Sequence, residues 1–544
     1  MRCPLVMVLS TVWIVVSGAT GLSAQVTFVE NGATHGITGH QVPGRGFGAG
    51  ASAADFDDDG DIDVFVPTGA DTPDRLYRNL GDGSFEDVAA ALGVASQLRS
   101  RAALWFDADG DGRLDLVVGS DCYQLTCDAG ISLLRLYRQN VDGTFTDVTA
   151  TSGLVDLDTG HNLDEHRSGI AAGDLDDDGD LDLVTGYWLG RLHLYRNDGD
   201  GTFTDISLDA GFDTQVLGYH QPMIHDVDGD GRMDIYVSVD FSFNRLWHNQ
   251  GLVDGIPSFV DIAATANCDN AMNDMGVALG DVDGDGDGDF YVTNIFRLTF
   301  HNVLQRNDTA GGTIRFAEIS EAAGVDDGGW GWGTSFFDVD HDTDLDLAET
   351  NGWNTSTWDQ PPRLWLRQPV SPPAFVEQAA SVGLTDERWG SSLLAVDIDR
   401  DGDLDLLETV QGTRSNAVLL RHENQLAVGA PDRHYLVVRP RMLAPNVRAI
   451  GARVEIEIAG QTQVRWITAG TSYLGQEPAE AHFGLGSATM VDRVTIAWPG
   501  GGETTRRDVA ADQVLTVLDS PVFSDDFESE GLDRWSGAVP SVRR

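Results

Sequence analysis

The chain has 544 residues, 41% of them hydrophobic and 63 of them glycine, which suits a turn-rich globular protein and not a disordered one. Acids outnumber bases by 86 to 35, a formal charge of −51. So acidic a surface is repelled by phosphate backbones and anionic lipid, which excludes nucleic acid and acidic membranes as partners.

Residues 1–24 open with Arg2, pass through apolar stretches at 5–9 and 12–16, and reach Leu22-Ser23-Ala24. A charged start, a short apolar core and a small residue at the cleavage point predict a secretory signal. Ser10, Thr11, Ser17 and Gly18 interrupt the run of about 20 apolar residues that a membrane anchor needs. No other stretch could span a bilayer. The mature chain is therefore expected outside the cell, or in the periplasm or on the cell surface if the source is bacterial.

Phe28-Val29-Glu30 reads as a strand with no neighbour nearby. Residues 46–54, small and apolar, predict a tightly packed strand A. Then comes Asp55-Phe56-Asp57-Asp58-Asp59-Gly60-Asp61-Ile62-Asp63, a D-x-D-x-D-G-x-x-D frame. Strands B (62–66), C (76–79) and D (85–88) follow, with Gly81-Asp82-Gly83 as the C–D turn. The frame recurs from Asp107, Asp174, Asp226, Asp281, Asp338 and Asp397, seven copies 52 to 67 residues apart. Strand C recurs as Leu-Tyr-Arg or a close variant, and strand D from Phe145, Phe203, Phe259, Phe316 and Phe375. Short strands at this period describe propeller blades. Six D strands follow the first six loops, but the seventh loop is followed only by strands B (404–408) and C (417–420). The strand at Phe28 is expected to complete that last blade and close the ring.

The frame's chemistry points to a hard cation. Acids at positions 1, 3, 5 and 9 and the backbone carbonyl of position 7 can supply the six to eight oxygens that Ca²⁺ takes. The expected ligands are Asp55, Asp57, Asp59, Asp61 and Asp63 in the first loop, and Asp107, Asp109, Asp111, Arg113 and Asp115 in the second. The third has Asp174, Asp176, Asp178, Asp180 and Asp182; the fourth has Asp226, Asp228, Asp230, Arg232 and Asp234. The fifth has Asp281, Asp283, Asp285, Asp287 and Asp289; the sixth has Asp338, Asp340, Asp342, Asp344 and Asp346. The seventh has Asp397, Asp399, Asp401, Asp403 and Asp405. Carboxylates about 4 Å apart repel by roughly 4 kcal/mol per pair at an effective dielectric near 20, so four in one loop call for a cation. Position 12 is Val66, Val118 or Thr185 where an EF-hand would have Glu, so the EF-hand reading fails. Up to seven Ca²⁺ are expected. Gly60 at position 6 permits a positive φ. Thr343 replaces it in the sixth loop, so that site is expected to be weakest or differently folded. Gly288 at position 8 deprives the fifth loop of its strand anchor.

In a four-strand meander the acidic loops share one face, and the longer B–C and D–A loops share the other. That other face would carry Tyr187-Trp188, Phe241, Phe296, Trp353, Trp358, the segment 161–166, Tyr219-His220, Trp330 and Trp389. Either recognition of an unknown protein or glycan, or packing at the strand ends, would explain these aromatics. Cys122 and Cys127 share a loop and could be joined in an exported chain, or remain free thiols.

Residues 425–433 read as a linker. Strands at 434–439, 453–458, 463–467, 493–498 and 514–518 predict a small all-β domain, and 520–544 a flexible tail. The fold class is thus all-β: a seven-bladed propeller over 25–424, closed by its N-terminal strand, then a small β-sandwich-like domain over 434–519.

Phe47-Gly48 and the Asp55 loop resemble FG-GAP/VCBS repeats, as in integrin α-subunits and many secreted bacterial proteins. Gly451-Ala452-Arg453-Val454, Gln463, Arg465, 470–476, 482–486, Val491-Asp492, Trp498-Pro499 and Gln513 resemble an ASPIC/UnbV domain. Together they are similar to the cartilage acidic protein family and its bacterial relatives. That resemblance implies a secreted calcium-binding protein with no established catalysis, and the repeats, the leader and the acidity make an extracellular binding or adhesion module the expected function. The alternative is a polysaccharide lyase or hydrolase using the loop-rich face, with His161, Asp164, Glu165 and His166 as its best cluster. His482 and Arg465 are family-pattern residues for which ligand binding and packing are both open.

Overall fold

The computed structural model describes residues 26–37, 48–68, 72–123, 134–154, 164–212, 215–295, 300–353, 360–411, 418–426 and 433–519. The expected signal, the tail, most of the linker, His161, Phe296, Trp358 and Cys127 lie outside these residues.

Within them the chain folds into successive four-strand antiparallel meanders, an all-β arrangement consistent with a propeller. The first pairs Ser52–Ala54, Asp63–Val66, Arg75–Asn79 and Phe85–Asp87 in chain order. The order recurs in meanders that begin at Ser100–Phe106, Asp164–Gly173, Leu217–His225, Val277–Gly280 and Gly331–Phe337. The third and fourth form one larger sheet, because the end of Asp182–Gly190, at Trp188, also pairs with Gly218 at the start of Leu217–His225. The seventh contains Trp389–Val396, Asp405–Gln411 and Val418–Asn424. Its fourth strand is Phe28–Glu30, with Phe28 opposite Asn424.

Burial explains the strand types. Strand B of the first meander is buried at all four positions, so it reads as a continuous apolar run after its aspartate. Strand D buries Phe85 and exposes Glu86 and Asp87. One-turn helices follow several D strands, among them Ala89–Leu92 and Ser320–Ala323, which end at left-handed Gly93 and Gly324. They are too short for a 3.6-residue periodicity to show.

Residues 434–519 form two packed sheets. One contains Ala481–Gly486, His434–Arg441 and Gln513–Leu518; the other contains Gln461–Trp466, Arg453–Ile458, Met490–Ala497 and Glu503–Ala510. Leu436, Val438, Ile456, Phe483 and Ile496 are fully buried in one cluster. Ala481–Gly486 and Glu503–Ala510 escape the period-two reading because glycines break the first and the second is exposed at most positions.

The two parts interlock. The loop 469–477 inserts among the A strands and bonds to every meander. Gln476 accepts from the Ala53 N–H (2.9 Å) and donates its own N–H to Ala51 (3.0 Å). Its side-chain amide spans Trp105, accepting from the backbone N–H (2.7 Å) and donating to the carbonyl (3.0 Å). The Ala172 N–H donates to Ala469 (3.0 Å), and the Leu474 N–H donates to the Gln221 side chain (2.8 Å). Ser472 exchanges two backbone bonds with Val277. Its hydroxyl donates to the Leu393 carbonyl (2.7 Å) and accepts from the Thr334 N–H (3.1 Å). The approach is close: a Cβ on Gly50 would lie 1.7 Å from the Leu474 carbonyl oxygen. Tyr473, fully buried, packs edge-on against Trp332.

Removing the Gln476 amide would strand a buried N–H and a buried carbonyl on Trp105, each worth about 1–3 kcal/mol. Gln476→Ala is therefore expected to lower unfolding free energy by about 2–5 kcal/mol in urea titrations. A change within about 0.5 kcal/mol, the range of an ordinary surface substitution, would contradict the interlock.

Candidate metal centres

Each acidic loop joins strand A to strand B, and its ninth-position aspartate is the first residue of strand B. That carboxylate is buried in all seven meanders. One oxygen accepts the N–H of a strand C residue: Asn79, Gln139, Asn197 and Asn249 at 2.8 Å, Asn307 at 2.7 Å, Arg367 at 2.8 Å and Asn424 at 2.7 Å. In the first six loops the other oxygen accepts the N–H of position 2, from Phe56 at 3.2 Å to Val339 at 3.0 Å.

Six of these strand C residues reach the neighbouring loop. The Asn79 side chain donates to the Ile398 carbonyl (2.8 Å), Gln139 to Phe56 (3.0 Å), Asn197 to Ala108 (3.1 Å) and Asn249 to Leu175 (3.0 Å). Asn307 donates to Val227 (2.9 Å) and Asn424 to Val339 (3.0 Å). Each bond runs from one meander to the loop of the meander before it, and Asn79 runs from the first to the seventh. The sequence carries the signal, an Asn or Gln closing most C strands, but nothing in a single repeat shows what it touches.

The first-position carboxylate winds the loop. In loops two to six it accepts N–H groups from positions 5 and 6, as Asp107 does from Asp111 (3.2 Å) and Gly112 (2.9 Å). Thr343 obeys the same rule: Asp338 accepts its N–H at 2.9 Å and holds it at φ 85°, so the sixth loop has the common winding despite its β-branched residue. Gly288 has its own reason, since a Cβ there would lie 2.5 Å from His225 Nε2.

Carboxylate oxygens remain buried without a hydrogen-bond partner in every loop: one each on Asp55, Asp109, Asp176, Asp228, Asp283 and Asp340, and both on Asp397. Asp55, Asp57 and Asp63, and likewise Asp107, Asp109 and Asp115, bring ligand atoms within 4.8 Å of one another. Asp174, Asp176 and Asp178 do the same, as do Asp226, Asp228 and Asp230. His248 joins Asp228 and Asp234 and was not foreseen. Burial, with like charges adding to it, pushes Asp63 and Asp234 up to about 8 and Asp115 up to about 7. At position 7, Arg113 and Arg232 turn their side chains onto Asp111 and Asp230, leaving their carbonyls as the candidate donors.

The acidic face is partly covered. Residues of the C-terminal domain lie over it: Arg448 donates to the Asp55 carbonyl (2.7 Å), Arg439 to Gly60 (2.8 Å), and His482 Nε2 lies 2.7 Å from the Gly402 carbonyl. Glu480 sits between Arg400 (2.9 Å) and Arg439 (2.8 Å), which hold its carboxyl below the usual range against the effect of burial. His482 thus makes a packing contact, and Arg465 lies over the Phe483 ring.

On the far face Tyr187, Tyr219, His220 and Trp389 are buried, and Trp330, Trp353 and Trp332 stack in series with centroids 5.0 and 5.5 Å apart. Phe241 is 73% exposed. His166 is bonded to Asp121 (3.0 Å), and Asp164 opens a strand. Cys268 is a buried free thiol. No helix among the described residues is long and apolar enough to cross a membrane.

A model of the FG-GAP-like repeat matches residues 55–118, 174–237 and 226–292, and a model of the ASPIC and UnbV domain matches 443–522. The chain carries FG-GAP-like repeats and an ASPIC and UnbV domain. The loops at Asp338 and Asp397 continue the repeat beyond the matched stretches. Human cartilage acidic protein 1 is 26% identical over 325 residues, covering 58% of this chain and 46% of the relative. The Xenopus tropicalis protein of the same name is 23% identical over 445 residues, covering 80% and 56%. The chain thus spans about half the length of the curated relatives it matches. Among solved structures, BBS1N in complex with ARL6DN aligns at a TM-score of 0.42 and 11% identity, covering 74% of this chain and 97% of that one, too loosely to carry an argument.

Without a cation the ninth-position carboxyls bind protons more tightly folded than unfolded. Their stabilisation is complete below about pH 4 and is lost as pH rises through the folded values of about 7–8. With a chelator present, the melting temperature is expected to fall between pH 5.5 and 8. A rise over that range would contradict this reading.

Proposed function

We propose that this chain is a secreted, calcium-stabilised binding module, built on a closed seven-bladed propeller and held shut by its C-terminal domain. The observation that carries the calcium reading is the buried, partnerless carboxylate oxygen in each acidic loop. Such an oxygen costs several kcal/mol unless a cation or donor meets it, and Ca²⁺ takes six to eight oxygens in flexible geometry where Mg²⁺ demands an octahedron. In a loop that takes the ion, the four carboxylates and the position-7 carbonyl would hold it, and its role would be structural. The ring is supported by the Asn79–Ile398 bond between first and last meanders and by one loop that reaches all seven A strands.

With the acidic face partly covered by the C-terminal domain, the binding surface is the opposite one. Its exposed Phe241 and Phe243 and its stacked Trp330 and Trp353 suit an extracellular protein or glycan. The leader at 1–24 would deliver the chain there.

A thermal melt of the mature chain tests the calcium reading. At ten times Kd each occupied site adds about 1.4 kcal/mol, so several sites together rival the stability of a whole domain. Millimolar calcium is expected to raise the midpoint strongly over chelator, and magnesium only slightly. An unchanged midpoint in a sample that metal analysis finds empty would leave the loops as ordinary acidic turns.

A further inference from the structure

The seventh loop differs from the other six in what already occupies it. Counting back three residues from the strand C residue that bonds the ninth carboxylate, six meanders have a leucine: Leu76, Leu136, Leu194, Leu246, Leu304 and Leu364. The seventh has Arg421, 0% exposed. Its Nη2 lies 2.6 Å from Asp399 Oδ2 and 3.3 Å from Asp405 Oδ2, the third- and ninth-position carboxylates of the frame. Its Nη1 donates to the Gly83 carbonyl (3.2 Å) in the C–D turn of the first meander.

We infer that Arg421 is the resident cation of the seventh loop, and that this loop takes no calcium in the native chain. The inference rests on the calcium reading of the other loops. A guanidinium already bonded to two of the four ligand carboxylates repels a divalent ion, and a fully buried side chain cannot swing into water to make room. The loop's internal bonding agrees. Asp405 Oδ2, the oxygen that meets the position-2 N–H in the six other loops, here meets the guanidinium. Asp397 has both oxygens without a partner, whereas the corresponding carboxylate in loops two to six is capped by the loop's own N–H groups. Arg400 is the cation that acts on Asp397, and it is itself tied to Glu480. Arg421 also joins the last meander to the first through Gly83, so one charge both neutralises the loop and fastens the seam.

The full mature chain, equilibrated with calcium and freed of excess, can be counted by native mass spectrometry. Six bound ions are expected for the native chain and seven for Arg421→Leu, which installs the residue of the other six meanders. Crystals soaked in terbium locate the ions: anomalous signal is expected in the other loops, none at Asp397 in the native chain, and a new peak there in the variant. Seven ions, or a terbium peak beside Asp397, in the native chain would overturn the inference, and that measurement stands whether or not the variant folds. A native chain with no ion in any loop would overturn the calcium reading instead.

Discussion

The structure depends on a buried carboxylate used once per meander. The ninth-position aspartate begins strand B, bonds the N–H of strand C and, in six loops, closes the loop above it. Placing a carboxylate in a nearly dry site is costly unless donors or cations surround it. The local architecture follows from meeting that cost. The loop curls so that its N–H groups point inward, an Asn or Gln ends most C strands to cross to the loop of the preceding meander, and the remaining oxygens are left facing one another. The winding survives Thr343 in place of glycine because the carboxylates, and not the sixth residue, dictate it.

The second dependence runs between the two parts of the chain. The loop 469–477 meets all seven A strands with backbone bonds, side-chain bonds or both, and residues of the C-terminal domain lie over the acidic face. All 35 basic residues of the chain are arginines. The planar fork can bond two acceptors at once, as Arg400 does with Glu480 and the Gly60 carbonyl and as Arg421 does with Asp399 and Gly83. A chain this rich in carboxylates and carbonyl-lined loops has constant use for that geometry.

Much of this was legible in the sequence because it is local or repeated. The frame around Asp55 fixes the loop, the strand after it and the period, and the absence of a D strand after the seventh loop pointed to Phe28, which pairs with Asn424 as that absence requires. What was not legible is what reaches across the chain. Gln476 and Ser472 belong to a family-pattern stretch whose partners lie hundreds of residues away, and no periodicity reveals them. The same holds for the cover over the acidic face, where Arg448 meets Asp55. Glu503–Ala510 was missed because an exposed strand with Arg506 and Arg507 has no apolar alternation to show.

The strand Phe28–Glu30 has a consequence for the order of assembly. It is synthesised well before its partner Val418–Asn424, which comes almost 400 residues later. Until then it is an unpaired edge, and the centre that 469–477 will fill is still hollow. Loop closure over such a separation carries an entropic charge that only the finished contacts repay. Early meanders can form as hairpins, but the assembly cannot lock until 418–424 and 469–477 arrive. A partly made chain therefore exposes both an open edge and the apolar interior around Trp332, the form most prone to aggregate or to be held by a chaperone.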